Sequence, residues 1–130
     1  DFKKRIKKGD FLEWEEVYKN TFYGTLKKNV YDKLDSGKNV IFDIDVKGAI
    51  SLKNFFNRDA LSIYIDVPVD IIEQRLRNRK TENEQDILIR LAKIKEESSY
   101  KNVFDLIIMN TDLEKTKKEI INRIREYLQK

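Results

Sequence analysis

Any chemistry in this chain has to come from carboxylates, arginines, lysines, tyrosines and hydroxyls, because it contains neither histidine nor cysteine. That excludes an imidazole base, a thiolate nucleophile, a zinc-thiolate site and any disulfide. Glu13 stands between Leu12 and Trp14, and strand alternation turns it to the face opposite both. A carboxylate accepts two hydrogen bonds side by side, which suits the N1–H and exocyclic amine of guanine. A solvated strand residue is the plain alternative. Tyr23-Gly24-Thr25 follows closely. A tyrosine hydroxyl can donate to a phosphate oxygen, glycine admits a close backbone approach, and Thr25 can bond a base. A simple hairpin turn is the alternative here.

Asp43 and Asp45 close an apolar run and, two apart, share one face. Ligands of open α/β sheets bind beyond the carboxyl ends of the strands. Paired buried carboxylates need a cation, hydroxyls or Mg²⁺; capping the next helix is the other reading. Lys47 is assigned no role. Arg75 and Arg79, four apart, share a helix face, and Arg90 lies across a polar stretch from them. Cations on both edges of such a stretch suit a lid closing on a polyphosphate, and the arginine fork matches phosphate. Salt bridges with Glu73, Glu82, Glu84 or Asp86 would use the same residues structurally.

The elements that must position these groups alternate between strand-like and helix-like runs, which predicts an α/β layer structure with a mostly parallel sheet. Residues 2–8 read as a helix ended by Gly9, and 11–17 and 21–24 as short strands. A helix over 26–36 stops at Gly37. Val40 to Asp45 reads as a buried strand, Lys47 to Phe55 as a helix and Ala60 to Val67 as the next strand. Val69 to Arg79 is helical, Lys80 to Gln85 polar. A long helix from about Asp86 to Lys101 carries Ile87, Leu91 and Ile94 on one stripe. After a strand over Asp105 to Met109, Thr111 and Glu114 form a capping box. The last helix then turns Leu113, Ile120, Ile124 and Leu128 inward.

With 130 residues, the chain is one domain or part of one, and no linker, repeat or domain boundary is visible. The net charge of +4 is modest, and nucleotide phosphates account for it as well as nucleic acid does. No apolar run approaches the roughly 20 residues of a membrane span, and the first residues hold no signal-peptide core. The expectation is a cytoplasmic protein that binds neither membrane nor nucleic acid.

Phe11-Leu12-Glu13-Trp14, Tyr23-Gly24-Thr25, Asp43-Ile44-Asp45, Arg75-Leu76-x-x-Arg79-x-Thr81 with Ile87-x-x-Arg90-Leu91, and Asn110 followed by Asp112 together resemble the guanylate kinases, in order and spacing, over essentially the whole chain. The resemblance implies a nucleoside-monophosphate-kinase-like parallel sheet flanked by helices. It implies a β-rich GMP-binding lobe over about 1–36, a core over about 37–79 and 102–130, and a helical lid over about 80–101. It also implies substrates GMP and ATP, with Mg²⁺. Glu13 and Thr25 would read guanine and Tyr23 would touch the GMP phosphate. Asp43 and Asp45 would orient GMP and the metal-nucleotide end of the site. Arg79 and Arg90 would clasp the transferring phosphate as catalytic residues, Arg75 would lie close to ATP, and Asn110 near adenine.

The chain departs from the family at Lys80, where glycine is usual, at Thr111, where aspartate is usual, and at Lys47, where glutamine is usual. It has no Gly-x-x-x-x-Gly-Lys-Ser/Thr loop. The expectation is therefore an N-terminally incomplete guanylate kinase, inactive by itself, lacking its first strand and phosphate loop. A non-catalytic, protein-binding relative is the first rival and a basic nucleic-acid-binding domain the second.

Overall fold

The computed structural model describes residues 2–18, 21–79 and 83–129, with the backbone alone at Glu13, Glu15, Glu16, Val17, Tyr18, Thr21 and Tyr23. Two compact units divide it, Asp1–Ala60 and Leu61–Lys130.

In the first unit, helix α1 (Phe2–Lys7) ends in a Schellman motif. Asp10 N–H donates to the Arg5 carbonyl at 3.1 Å and Gly9 N–H to that of Ile6 at 3.0 Å. The φ of Gly9 is 72°, the left-handed conformation that glycine adopts without a Cβ clash. Strands β1 (Phe11–Tyr18) and β2 (Thr21–Leu26) form an antiparallel hairpin. The Phe2 ring stacks on Phe11 at 4.4 Å and on Phe22 at 5.2 Å, fastening α1 to it. Helix α2 (Lys27–Asp35) stops by the same device at Gly37, with φ 83°. Leu12, Val30 from α2 and Leu52 from helix α3 (Val46–Phe56) make the core, joined by Phe42, Ile44 and Phe56.

The strand expected over Val40 to Asp45 is not formed. The segment has no ladder partner among the described residues, and an extended run without a neighbouring strand makes no sheet. Its alternation nevertheless survives. Phe42 and Ile44 pack on the core, while Asp43 is exposed and Ile41 is 84% exposed, so the run is not buried on both faces.

In the second unit, β3 (Ile63–Asp66) and β4 (Leu106–Met109) pair in parallel, from Ile63 beside Leu106 to Asp66 beside Met109. A parallel pair needs a long crossover. Helices α4 (Val69–Asn78) and α5 (Glu84–Ser98) supply it, packing through Leu76, Ile87 and Leu91, with Val69 and Ile72 against them. Ser62 and Asp105 exchange hydrogen bonds of 2.9 Å at the head of the strands. Helix α6 (Leu113–Leu128) follows β4.

Two details of α6 differ from expectation. Its N-cap is Asp112, not Thr111, because the Asp112 carboxylate accepts from the Glu114 and Lys115 amides at 3.0 and 3.4 Å. Ile120 and Ile124 are half-buried, but Leu113 and Leu128 are more than half exposed. These two leucines sit in the first and last turns, and the four-residue strand β4 is shorter than the sixteen-residue helix beside it.

Candidate functional site

The hairpin register sets Glu13 opposite Thr25 and Glu15 opposite Tyr23. The main chain thus brings the three hairpin candidates onto adjacent strands. The side chains of Glu13 and Tyr23 lie outside the described residues; Thr25 is partly buried. The ladder shifts register between Phe11 and Glu13, a local irregularity of the kind that re-aims a strand residue. Trp14 stays half exposed, its ring tilted 50° to that of Phe22 with centroids 6.4 Å apart.

Asp43 and Asp45 are placed differently. Asp43 is exposed. Asp45 caps α3, its Oδ1 accepting the Gly48 N–H at 2.9 Å. The capping role holds for Asp45 and leaves Oδ2 for a ligand. Lys47 is an exposed residue of the first turn of α3.

The arginine cluster is where the structure adds most. Arg75 and Arg79 lie exposed on α4 and at its C-cap, and neither forms an ion pair among the described residues. Two of the carboxylates named as possible partners, Glu73 and Glu84, are held by Arg77. Its Nη2 lies 3.0 Å from Glu73 Oε1, one helical turn back. The same Nη2 lies 2.9 Å from Glu84 Oε1, while Nη1 bonds the other oxygen of Glu84, closing a bidentate pair from α4 to the first residue of α5. The two hydrogen bonds from Arg77 hold the Glu84 carboxyl below its usual range, and Glu84 and Glu73 push Arg77 further up. At 100° per residue, Arg77 points about 200° away from Arg75 and Arg79. Arg75 and Arg79 are thus on one side of α4 and Arg77 on the other. Arg90 is exposed on α5, nearly two turns beyond its start. Lys80 and Thr81 lie outside the described residues.

At the carboxyl end of the parallel pair, Asn110 N–H donates to the Asp66 carbonyl at 2.8 Å, extending the ladder one step past β4. Its side-chain Oδ1 accepts from the hydroxyl of buried Thr116 at 3.0 Å. The Asp66 carboxylate pairs with Lys101 at 3.0 Å. Burial first, then the negative charges of Asp66 and Glu97, hold the neighbouring Tyr64 phenol above its usual pKa; Lys101 pulls the other way.

Sequence reasoning does not find Arg77, Thr116 or the Asp66–Lys101 pair. For Arg77 a signal exists in Glu73, four residues before it. For Thr116 it is a lone hydroxyl at the i+4 position from an N-cap. For Asp66 and Lys101, far apart in the chain, there is none. No helix among the described residues is long and apolar enough to cross a membrane.

Comparison with known proteins joins these observations. A family model described as guanylate kinase matches residues 1–127. The guanylate kinase of Bacteroides thetaiotaomicron is 41% identical over 131 residues, covering 100% of this chain and 64% of its own length. That of Rickettsia bellii is 44% identical over 122 residues, covering 92% and 62%. The crystal structure of guanylate kinase from Anaplasma phagocytophilum superposes with a TM-score of 0.77 at 29% identity, over 99% of this chain and 62% of that one. The chain spans less than two thirds of the length of each of these proteins. Matched from its first residue almost to its last, this chain belongs to the guanylate kinase family.

Proposed function

We propose that the intact polypeptide, with any segment that precedes Asp1, transfers the γ-phosphoryl group of ATP to a phosphate oxygen of GMP, giving ADP and GDP without a covalent enzyme intermediate. One observation supports this beyond family membership: Arg75 and Arg79 lie exposed on the side of α4 away from Arg77, Glu73 and Glu84 being paired with Arg77. Exposed guanidinium groups held off from neighbouring acids suit a polyphosphate.

In this reading Glu13 and Thr25 read guanine, and Tyr23 donates to the GMP phosphate. Arg79 and Arg90 stabilise the charge that spreads over the transferring group. Positioning the reactants and stabilising that charge are most of what a protein can contribute to phosphoryl transfer. Arg75 lies close to ATP and Asn110 near adenine. Asp43 and Asp45 orient GMP and the metal-nucleotide end. No group of three acidic side chains gathers among the described residues. Asp43 and Asp45 offer one or two carboxylates, which with phosphate oxygens and water would make the usual shell of Mg²⁺. Bound there, the ion would supply neutralisation of phosphate charge. The proposed setting is the cytoplasm, with neither membrane nor nucleic acid as partner.

The test is ATP-dependent formation of GDP by the intact polypeptide, with calorimetric titration of GMP and AMP. The expected outcome is GMP phosphorylation and preference for GMP over AMP, reduced in Glu13→Gln. Equal binding of the two nucleotides would defeat base reading by Glu13. Binding of a protein ligand with no turnover would favour a non-catalytic relative.

A further inference from the structure

Thr116 is the only buried polar side chain among the described residues, 5% exposed, and the proposed chemistry gives it nothing to do. Its hydroxyl lies 2.9 Å from the Asp112 carbonyl, one turn back in α6, and 3.0 Å from Asn110 Oδ1. Both partners are acceptors. The hydroxyl hydrogen is therefore shared between them, and the Asn110 amide is held oxygen-inward. Its backbone is fixed at the same time, by the 2.8 Å bond to the Asp66 carbonyl at the end of β3. With its backbone N–H bonded to Asp66 and its amide oxygen turned to Thr116, the side-chain group that Asn110 turns away from Thr116 is the NH₂, which is a donor only. Burial of Thr116 matters, because water cannot easily replace a hydroxyl removed from that position.

We propose that Thr116 is a positioning residue that locks the Asn110 amide with its NH₂ group outward, so that Asn110 meets the adenine of ATP as a hydrogen-bond donor to a ring acceptor. This rests on the reading that Asn110 lies near adenine. Thr116 touches no substrate and acts through Asn110.

Steady-state kinetics of the intact polypeptide test it. Thr116→Val keeps the shape and removes the hydroxyl. It is expected to raise KM for ATP about five- to tenfold, the worth of one hydrogen bond, with kcat and KM for GMP within about twofold. Thr116→Ser restores the hydroxyl and the wild-type KM. Asn110→Asp still accepts from Thr116 but presents no donor, so it is expected to lose at least as much affinity for ATP as Thr116→Val. An Asn110→Asp variant that binds ATP as well as wild type overturns the donor assignment. So does a Thr116→Val variant with unchanged KM for ATP, or one whose ATP and GMP constants rise together. Asn110→Ala separates the two levels. If it leaves KM for ATP unchanged, the placement of Asn110 near adenine fails, and this inference with it. If it raises that KM while Thr116→Val does not, only the positioning role fails.

Discussion

The two ends of α5 are tied down by ion pairs of opposite character. At its start, Arg77 and Glu84 meet on the surface, with side chains 41% and 61% exposed. Just past its end, Lys101 meets Asp66, whose side chain is only 14% exposed. Charges in water are screened and exchange partners readily, so an exposed pair aligns a helix more than it stabilises one. A carboxylate taken largely out of water has no such freedom, and losing its partner leaves it unsatisfied. The contrast assigns different work to the two ties. The Asp66 end anchors α5 to the parallel strands, and the Arg77 end sets where α5 begins relative to α4. Arg90, the cation proposed to act on phosphate, lies between them.

That contrast can be broken in order of expected effect. Removing what lies between the ties is expected to matter most for turnover. Arg90→Ala in the intact polypeptide lowers kcat by about 10²–10³-fold, the scale of losing one preorganised charge, with little change in melting temperature. A large stability loss with unchanged turnover would show Arg90 to be structural.

Cutting the half-buried tie comes next. Lys101→Met leaves the Asp66 carboxylate without its partner, at a cost of about 1–3 kcal/mol, read as a melting temperature lower by several degrees. A melting temperature equal to wild type would show that Asp66 is solvated well enough to stand alone, and the contrast would collapse.

Cutting the exposed tie has the smaller effect on stability. Arg77→Gln is expected to shift the melting temperature less than Lys101→Met, and the shift shrinks further in molar salt. A salt-independent loss as large as that of Lys101→Met would make the two ties equivalent.

The pH dependence is the finest probe. Arg77 holds the Glu84 carboxyl below its ordinary value of 4.5, so the stability it contributes is present above that value. It is lost as pH falls through the lower value of the folded state. The difference between wild type and Glu84→Gln is therefore expected to be full at neutral pH and to vanish in acid. A difference that grows as pH falls would reverse the assignment.

Much of the scaffold was legible because it depends on local rules. Gly9 and Gly37 end helices where a left-handed residue is needed, and both adopt positive φ. The hairpin, the α4–α5 pair and the stripe of Ile87 and Leu91 follow from periodicity. Local rules also misled. Thr111 with Glu114 spells a capping box, yet the Asp112 carboxylate one residue on takes the cap. Val40 to Asp45 spells a strand, yet alternation specifies which side chains face inward and says nothing about whether a neighbour supplies hydrogen bonds.

The sequence by itself determined the family, the alternation of strands and helices, and the candidate residues on the hairpin and around α4 and α5. Those properties are written in the order and spacing of neighbours along the chain. Only the tertiary structure decided that Arg77 takes the carboxylates, that Lys101 answers Asp66, and that Thr116 sits against Asn110. Composition offers many partners for every charge and hydroxyl. Which pair forms depends on which groups the packed elements bring within about 3 Å, in orientations a hydrogen bond can use.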